Sequence, residues 1–116
     1  MKKGNHPQMG FNEYQVRTSW TAIYPKEKAL EYLALGLVSE AGEVAGKIKK
    51  LIRDNDSQIS PEIVNGLRSE LGDVLWYVAQ LATTLEVNLS TVARLNLEKL
   101  AKRKADGSLG GSGDKR

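Results

Sequence analysis

"KEKALEYLALGLVSEAGEVAGKIKKLIRDN", residues 26–55, is the stretch whose reading decides the fold. Leu30, Leu33, Leu37, Ala41, Val44, Ile48 and Leu51 recur every three or four residues, drawing one apolar stripe along a long helix. Pro25 stands near its first turn, where a missing N–H costs nothing. Two carboxylates interrupt this helix. Glu40 lies at the edge of the stripe, and Glu43, three residues on, lies farther round the same side. Lys47 and Lys50 continue that line and offer both acids local partners.

Working outward, Asp54 to Ser60 is polar and reads as a loop. Ser60 can cap a second helix with Pro61 at its first position. That helix carries Ile63, Leu67, Leu71, Val74, Val78, Leu81 and Leu85 at the same period. Here too an acid, Glu70, borders the stripe, and Asp73 lies farther round. A last helix is expected from about Leu89 to Lys104, capped by Asn88 or Ser90, and "FNEYQVRTSW" (11–20) reads as a shorter one. No stretch alternates as a strand would. The expected fold is all-α, a long helical hairpin with two further helices. Its divisions are a flexible N-terminus (1–10), a helical domain (11–104) and a glycine-rich tail (105–116) without regular structure.

The chain has 116 residues, enough for one domain with one core. Its 41% apolar and 27% charged residues are those of an ordinary soluble protein. There is no cysteine, which removes disulfides, thiolate metal sites and cysteine nucleophiles, and fits a cytoplasmic location. The first residues, "MKKGNHPQMGFNEYQ", lack the apolar segment of a signal peptide, and no run approaches the ~20 apolar residues that span a bilayer. No membrane association is expected. The net charge is +3, with Lys99, Lys102, Arg103, Lys104, Lys115 and Arg116 crowded towards the C-terminus. Cations opposing a helix dipole explain that crowding better than a nucleic-acid surface does.

If the two long helices pack antiparallel through their stripes, Glu40, Glu43, Glu70 and Asp73 can meet in one groove. The plain alternative is four surface acids, with Glu40 and Glu43 paired to their own helix's lysines. The repetition at matched spacing and angle favours convergence. Converging carboxylates repel and raise one another's pKa unless a cation sits between them. A hard divalent metal suits such oxygen ligands, and magnesium suits them best. A di-iron bundle would need a histidine three residues after a glutamate; His6, outside the helices, is the only one.

With these residues in view, the chain resembles the MazG-type all-α nucleoside triphosphate pyrophosphohydrolases. The family signature, E-x-x-E then E-x-x-D, appears as Glu40-Ala41-Gly42-Glu43 and Glu70-Leu71-Gly72-Asp73. The blocks "EYLALGLVSEAGEVAGKIKKLIRD" and "SELGDVLWYVAQLA" carry the likeness more specifically, and "NLEKLAKRKADGSLGGSGDKR" resembles the closing segment of small MazG-like proteins. The resemblance implies a four-helix bundle assembled as a homodimer or homotetramer. It implies Mg2+, for which Mn2+ can substitute, held by Glu40, Glu43, Glu70 and Asp73, with Glu40 as the water's base. The implied reaction is NTP + H2O → NMP + pyrophosphate.

On the last helix Asn96, Lys99 and Arg103 share a face; the resemblance gives the phosphates to an asparagine and a lysine at the positions of Asn96 and Lys99, and Arg103 is a candidate beside them, the plain alternative being an exposed basic stripe. Lys50 and Arg53 are weaker phosphate candidates, since helix-dipole compensation already explains them. Trp20, Tyr24 and Trp76 would form the base side, although core packing is the commoner use of such aromatics in a small helical protein. Tyr32 and Tyr77 are further aromatic candidates. The glycine-rich tail is not a P-loop, lacking the strand before it and the G-K-[ST] ending; its likeness to a family tail suggests that it folds over the phosphates. A nucleic-acid polymer is not an expected partner. Two competing readings stand beside this one: a phosphoribosyl-ATP pyrophosphohydrolase, and a helical interaction module whose acids bind a basic partner.

Overall fold

The computed structural model describes residues 8–108 and 110. They form four α-helices: α1 (Phe11–Thr18), α2 (Ala29–Asp54), α3 (Pro61–Thr84) and α4 (Leu89–Ala105), with 3-10 turns at Ser19–Thr21 and Lys26–Lys28. No strand occurs among the described residues. The all-α hairpin with two further helices is therefore the observed architecture. The flexible start lies mainly, and the phosphate-covering tail largely, outside the described residues.

Helix boundaries follow from local chemistry. Pro25 is extended and precedes a single 3-10 turn, closed by Lys28 N–H to Pro25 O at 3.1 Å, before α2 begins. The Ser60 hydroxyl accepts the Ile63 N–H at 3.3 Å with Pro61 in the first helical position, as its sequence implies. Between these helices Asp56 and Ser57 take left-handed backbone angles, φ 50° and 60°, and Ser57 N–H bonds back to Leu51 O. The stop of α4 is a glycine motif: Gly107 at φ 75° lets Ser108 N–H reach Arg103 O at 2.9 Å. The first residues of the glycine-rich tail, through Ser108, thus close the helix rather than trail from it.

The start of α4 departs from expectation. Neither the Asn88 nor the Ser90 side chain caps it. Gln15 Oε1 of α1 accepts the Leu89 N–H at 2.7 Å, and Asn12 Oδ1 accepts the Ser90 N–H at 3.0 Å. Orphan donors at a helix start need an acceptor, and here another helix supplies it. Gln15 also donates from Nε2 to Thr83 Oγ1 and to Val87 O, so one buried amide joins α1, the end of α3 and α4.

The hairpin of α2 and α3 is the largest contact. Its direction is antiparallel, because Gly36 meets Tyr77 while Gly66 meets Lys47. The core sits at one end of this hairpin. Leu33 is sealed beside Tyr24 and Ala29, against Trp76, Tyr77 and Leu81. Ala79, Ala82 and Leu89 bury the seam with α1 and α4. Between them lies Gln80, 1% exposed, whose Oε1 accepts the Tyr24 hydroxyl at 2.6 Å and whose Nε2 donates to Thr18 Oγ1 at 2.8 Å. Much of the expected apolar stripe is not covered within one chain: Leu30, Ile48, Leu71 and Leu85 are exposed, as are Val38, Ile52 and Val64.

Gln80 therefore holds the N-terminal segment to the hairpin through a polar contact in an apolar setting. Gln80→Leu strands the Tyr24 hydroxyl, while Thr18 Oγ1 loses one donor but keeps its own bond to Gln15 O at 2.7 Å, and a buried polar group without a partner costs about 1–3 kcal/mol. Urea denaturation of Gln80→Leu is expected to show a loss of about 1–3 kcal/mol, and Tyr24→Phe a smaller one. An unchanged midpoint for both would show that this network does not anchor the segment.

Candidate active site

Glu40 lies near the middle of α2, and Glu70 with Asp73 near the middle of α3. Their carboxylates converge: one oxygen from each of Glu40, Glu70 and Asp73 lies within 4.8 Å of the others. Glu43 is exposed and stands outside that group, although its charge acts on Glu40. Glu70 and Asp73, at the same three-residue spacing on α3, both reach the group, so the asymmetry lies in how α2 faces α3 and not in the spacing.

The electrostatics follow from this crowding. Partial desolvation, then the charges of Asp73, Glu70 and Glu43, and a hydrogen bond with Glu70 hold the Glu40 carboxyl above the usual carboxylate range. One cation is already at hand. Lys47 Nζ lies 3.6 Å from Glu70 Oε2, so Lys47 pairs across the hairpin rather than with the glutamates of its own helix. Gly66 leaves room for the Lys47 stem, its missing Cβ facing Lys47 carbons at 3.7 Å.

On the other side of the acids is a cleft of ≈ 360 Å³ lined by Glu40, Asp73, Thr21, Tyr32, Trp76 and Tyr77. Trp76 meets Tyr77 edge-on at 5.0 Å, and its Nε1 donates to Thr21 Oγ1 at 2.9 Å. Partial burial, then Tyr32, then Glu40 and Asp73 push the Tyr77 phenol up. Acids and aromatic faces therefore share one opening, a combination suited to a metal-bound polyphosphate carrying a ring.

The chain matches the MazG nucleotide pyrophosphohydrolase domain over residues 28–107. It belongs to the MazG family. It is also 52% identical over 109 residues to the Gene 37 protein of Mycobacterium phage L5, covering 89% of this chain and 96% of that one. No solved structure matches. The MazG match begins at the last residue of the turn before α2 and ends at the glycine stop of α4, so it takes in all three converging acids.

The remaining candidate residues are distributed as follows. Trp76 lines the acid cleft of this MazG chain. Tyr24 is buried, stacked on Tyr32 at 5.2 Å with the Lys26 ammonium 4.1 Å from its ring centre. Trp20 is 92% exposed and does not line the cleft. Lys50 lines a different cleft of ≈ 340 Å³ with Lys47, Asp54, Glu62 and Gly66. Arg53 is committed to Asp54 through two hydrogen bonds of 2.7 Å. On α4, Asn96 and Lys99 are exposed and Arg103 is half-buried; none of the three lines the cleft holding Glu40 and Asp73. No helix is long and apolar enough to cross a membrane among the described residues.

Reading acids alone missed a wider repeat. "GLVSEAGEV" (36–44) and "GLRSELGDV" (66–74) agree at six of nine positions. Packed antiparallel, two such segments place each glycine opposite a residue eleven positions after the other glycine: Gly36 against Tyr77, Gly66 against Lys47. Aligning the chain with itself would have exposed this, and with it Tyr77 and Lys47 as neighbours of the acids.

The raised Glu40 carboxyl has a stability consequence. The folded, metal-free protein holds this proton at pH values where the unfolded chain has released it. Stability is thus unpenalised below the unfolded-chain pKa, falls as pH rises through it, and carries the full penalty above the Glu40 value. In EDTA, the melting temperature of Glu40→Gln relative to wild type is expected to increase as pH rises above the ordinary glutamate value of 4.5. A difference that is flat with pH would mean that Glu40 does not share charge with the other acids.

Proposed function

We propose that this MazG chain hydrolyses nucleoside or deoxynucleoside triphosphates to the monophosphate and pyrophosphate, with magnesium or manganese held by Glu40, Glu70 and Asp73 and with Glu43 at the margin. The convergence of three carboxylate oxygens at the mouth of an aromatic cleft carries this reading. The donor set fits a hard ion: it is all oxygen, with no nitrogen or sulfur ligand in the group. Ligands about 2.1 Å from Mg2+ can be no more than about 4.2 Å apart. The present spread, up to 4.8 Å, closes with a small rotation of side chains that are not fully buried.

When bound, such an ion supplies charge neutralisation for the phosphates and makes water a stronger acid. The protein's own groups do the rest. Glu40, which lines the aromatic cleft beside Asp73, is the base of this reading and takes the proton of the attacking water on a carboxylate oxygen. Trp76, Tyr77 and Tyr32 offer faces and edges on which a nucleobase can stack. Thr21 fixes the Trp76 indole through its hydrogen bond. The exposed Asn96 and Lys99, with Arg103, and Lys50 at the far side of the acids, are the phosphate candidates of this reading.

Assembly from two or four copies is part of the same proposal. A 26-residue α2 spans about 39 Å, while a compact monomer of this length has a radius of gyration of about 13 Å and this chain has 17.3 Å. Val38, Ile52 and Leu71 are each more than half exposed, and an apolar groove of ≈ 210 Å³ runs among Leu37, Val78, Leu81, Leu85 and Val92. A second copy is the simplest cover for apolar area on this scale.

Incubation with dNTPs and magnesium is expected to release pyrophosphate and monophosphate together; stepwise diphosphate and free phosphate would contradict the reading. Asp73→Asn should lower turnover by orders of magnitude while melting at or above wild type in EDTA, since it removes one of the repelling charges. Its gain in melting temperature on adding magnesium should be smaller than wild type's, because ligand stabilisation follows affinity. Equal magnesium gains with retained hydrolysis would remove Asp73 from the site. Sedimentation at micromolar concentration is expected to show a dimer or tetramer, and a monomer would count against the assembly.

A further inference from the structure

The two halves of the internal repeat are alike in sequence but not in packing. A Cβ built on Gly66 would touch the Lys47 stem at 3.7–3.8 Å, an ordinary contact. A Cβ on Gly36 would fall against Tyr77 Cε1, Cζ and Cδ1, inside the ring's own volume. A side chain at the equivalent glycine thus fits at one end of the acid layer and displaces the Tyr77 ring at the other. Gly36 is one turn before Glu40 on α2, and Tyr77 is one turn after Asp73 on α3, so this contact forms the layer next to the acids.

We propose that Gly36 sets the size of the nucleoside end of the cleft by letting the Tyr77 ring recess against the α2 backbone. This rests on the nucleotide reading of the site given above. The geometry supplies the direction of the effect. Trp76 stands edge-on to the Tyr77 ring at 5.0 Å, and Tyr32 stands 6.4 Å away on another side. With α2 behind it, a ring displaced by a methyl group yields towards the open side, which is the cleft shared with Glu40 and Asp73. Gly36 touches no substrate in this account; it is a positioning residue, and its effect passes through Tyr77. A larger residue at position 36 narrows the space for the nucleoside and leaves the acids, which bind the metal and phosphates, in place.

Gly36→Ala and Gly66→Ala in the full chain test this. Three probes are read: Mn2+ binding, competition by inorganic triphosphate as a nucleoside-free polyphosphate, and KM and kcat with a dNTP panel. Gly36→Ala is expected to keep Mn2+ and triphosphate affinity within about twofold while raising KM for nucleotides about tenfold or more, the scale of one methyl group in a fitted pocket. The change in kcat should be smaller, and Gly66→Ala should match wild type throughout.

Should Gly36→Ala fail to fold, Tyr77→Leu and the Gly36→Ala/Tyr77→Leu double variant provide the test. With the ring gone, the alanine should be silent, so the two must share one nucleotide KM. A further loss in the double variant would overturn the proposal. So would an unchanged nucleotide KM in Gly36→Ala, or a fall in Mn2+ affinity parallel to the fall in nucleotide affinity, which would mark a general loosening of the hairpin. Absence of nucleotide binding by the wild-type protein would instead overturn the functional reading, and this inference with it.

Discussion

The close approach of α2 and α3 at Gly36 and Tyr77 is the constraint on which the rest of the structure depends. An aromatic ring occupies the volume of an absent side chain, so the two helices pack closely at that level. With the register set there, Leu33 meets the sealed end of the core, Glu40 meets Glu70 and Asp73, and Lys47 meets Glu70 beside Gly66. A slip of one turn, about 5.4 Å, would part the acids and bring apolar residues beside them. The site is therefore a property of the helical pairing rather than of any loop.

Carboxylates held this close work against the fold that holds them, and the structure answers with small devices. Lys47 lends a positive charge to Glu70, and Glu40 keeps its proton longer than an ordinary glutamate. Much of the apolar packing lies beyond the Trp76–Tyr77 layer, towards one end of the hairpin, where Leu33, Ala79 and Ala82 are buried and Gln80 bonds both Tyr24 and Thr18. Stability and chemistry thus occupy different stretches of the same two helices.

The long helices were legible in the chain because their signals are local: a period near 3.6, Ser60 with Pro61 at a start, and glycine at the α4 stop. Of the four acids expected to meet, Glu40, Glu70 and Asp73 converge, because antiparallel stripes bring the middles of both helices together, while Glu43, at the same spacing, stays outside. Features set by other segments were not. The acceptors at the start of α4 come from Asn12 and Gln15, more than seventy residues away in sequence. Burial of Tyr24 depends on Gln80, and the recess for Tyr77 depends on what is missing at Gly36. The apolar stripe was read correctly as apolar, yet Leu30 and Leu71 along it remain uncovered, since periodicity does not say whether a partner belongs to the same chain.

The shared amide of Gln15 has a consequence for how the chain opens. The first N–H groups of α4 find their acceptors on α1, the earliest described helix, and the same side chain grips the end of α3. Without those acceptors the first N–H groups of α4 go unpaired, so the start of α4 and the seat of α1 are coupled through the same bonds. In amide exchange, Leu89 and Ser90 would then behave as reporters of α1, opening when that helix leaves rather than when α4 frays.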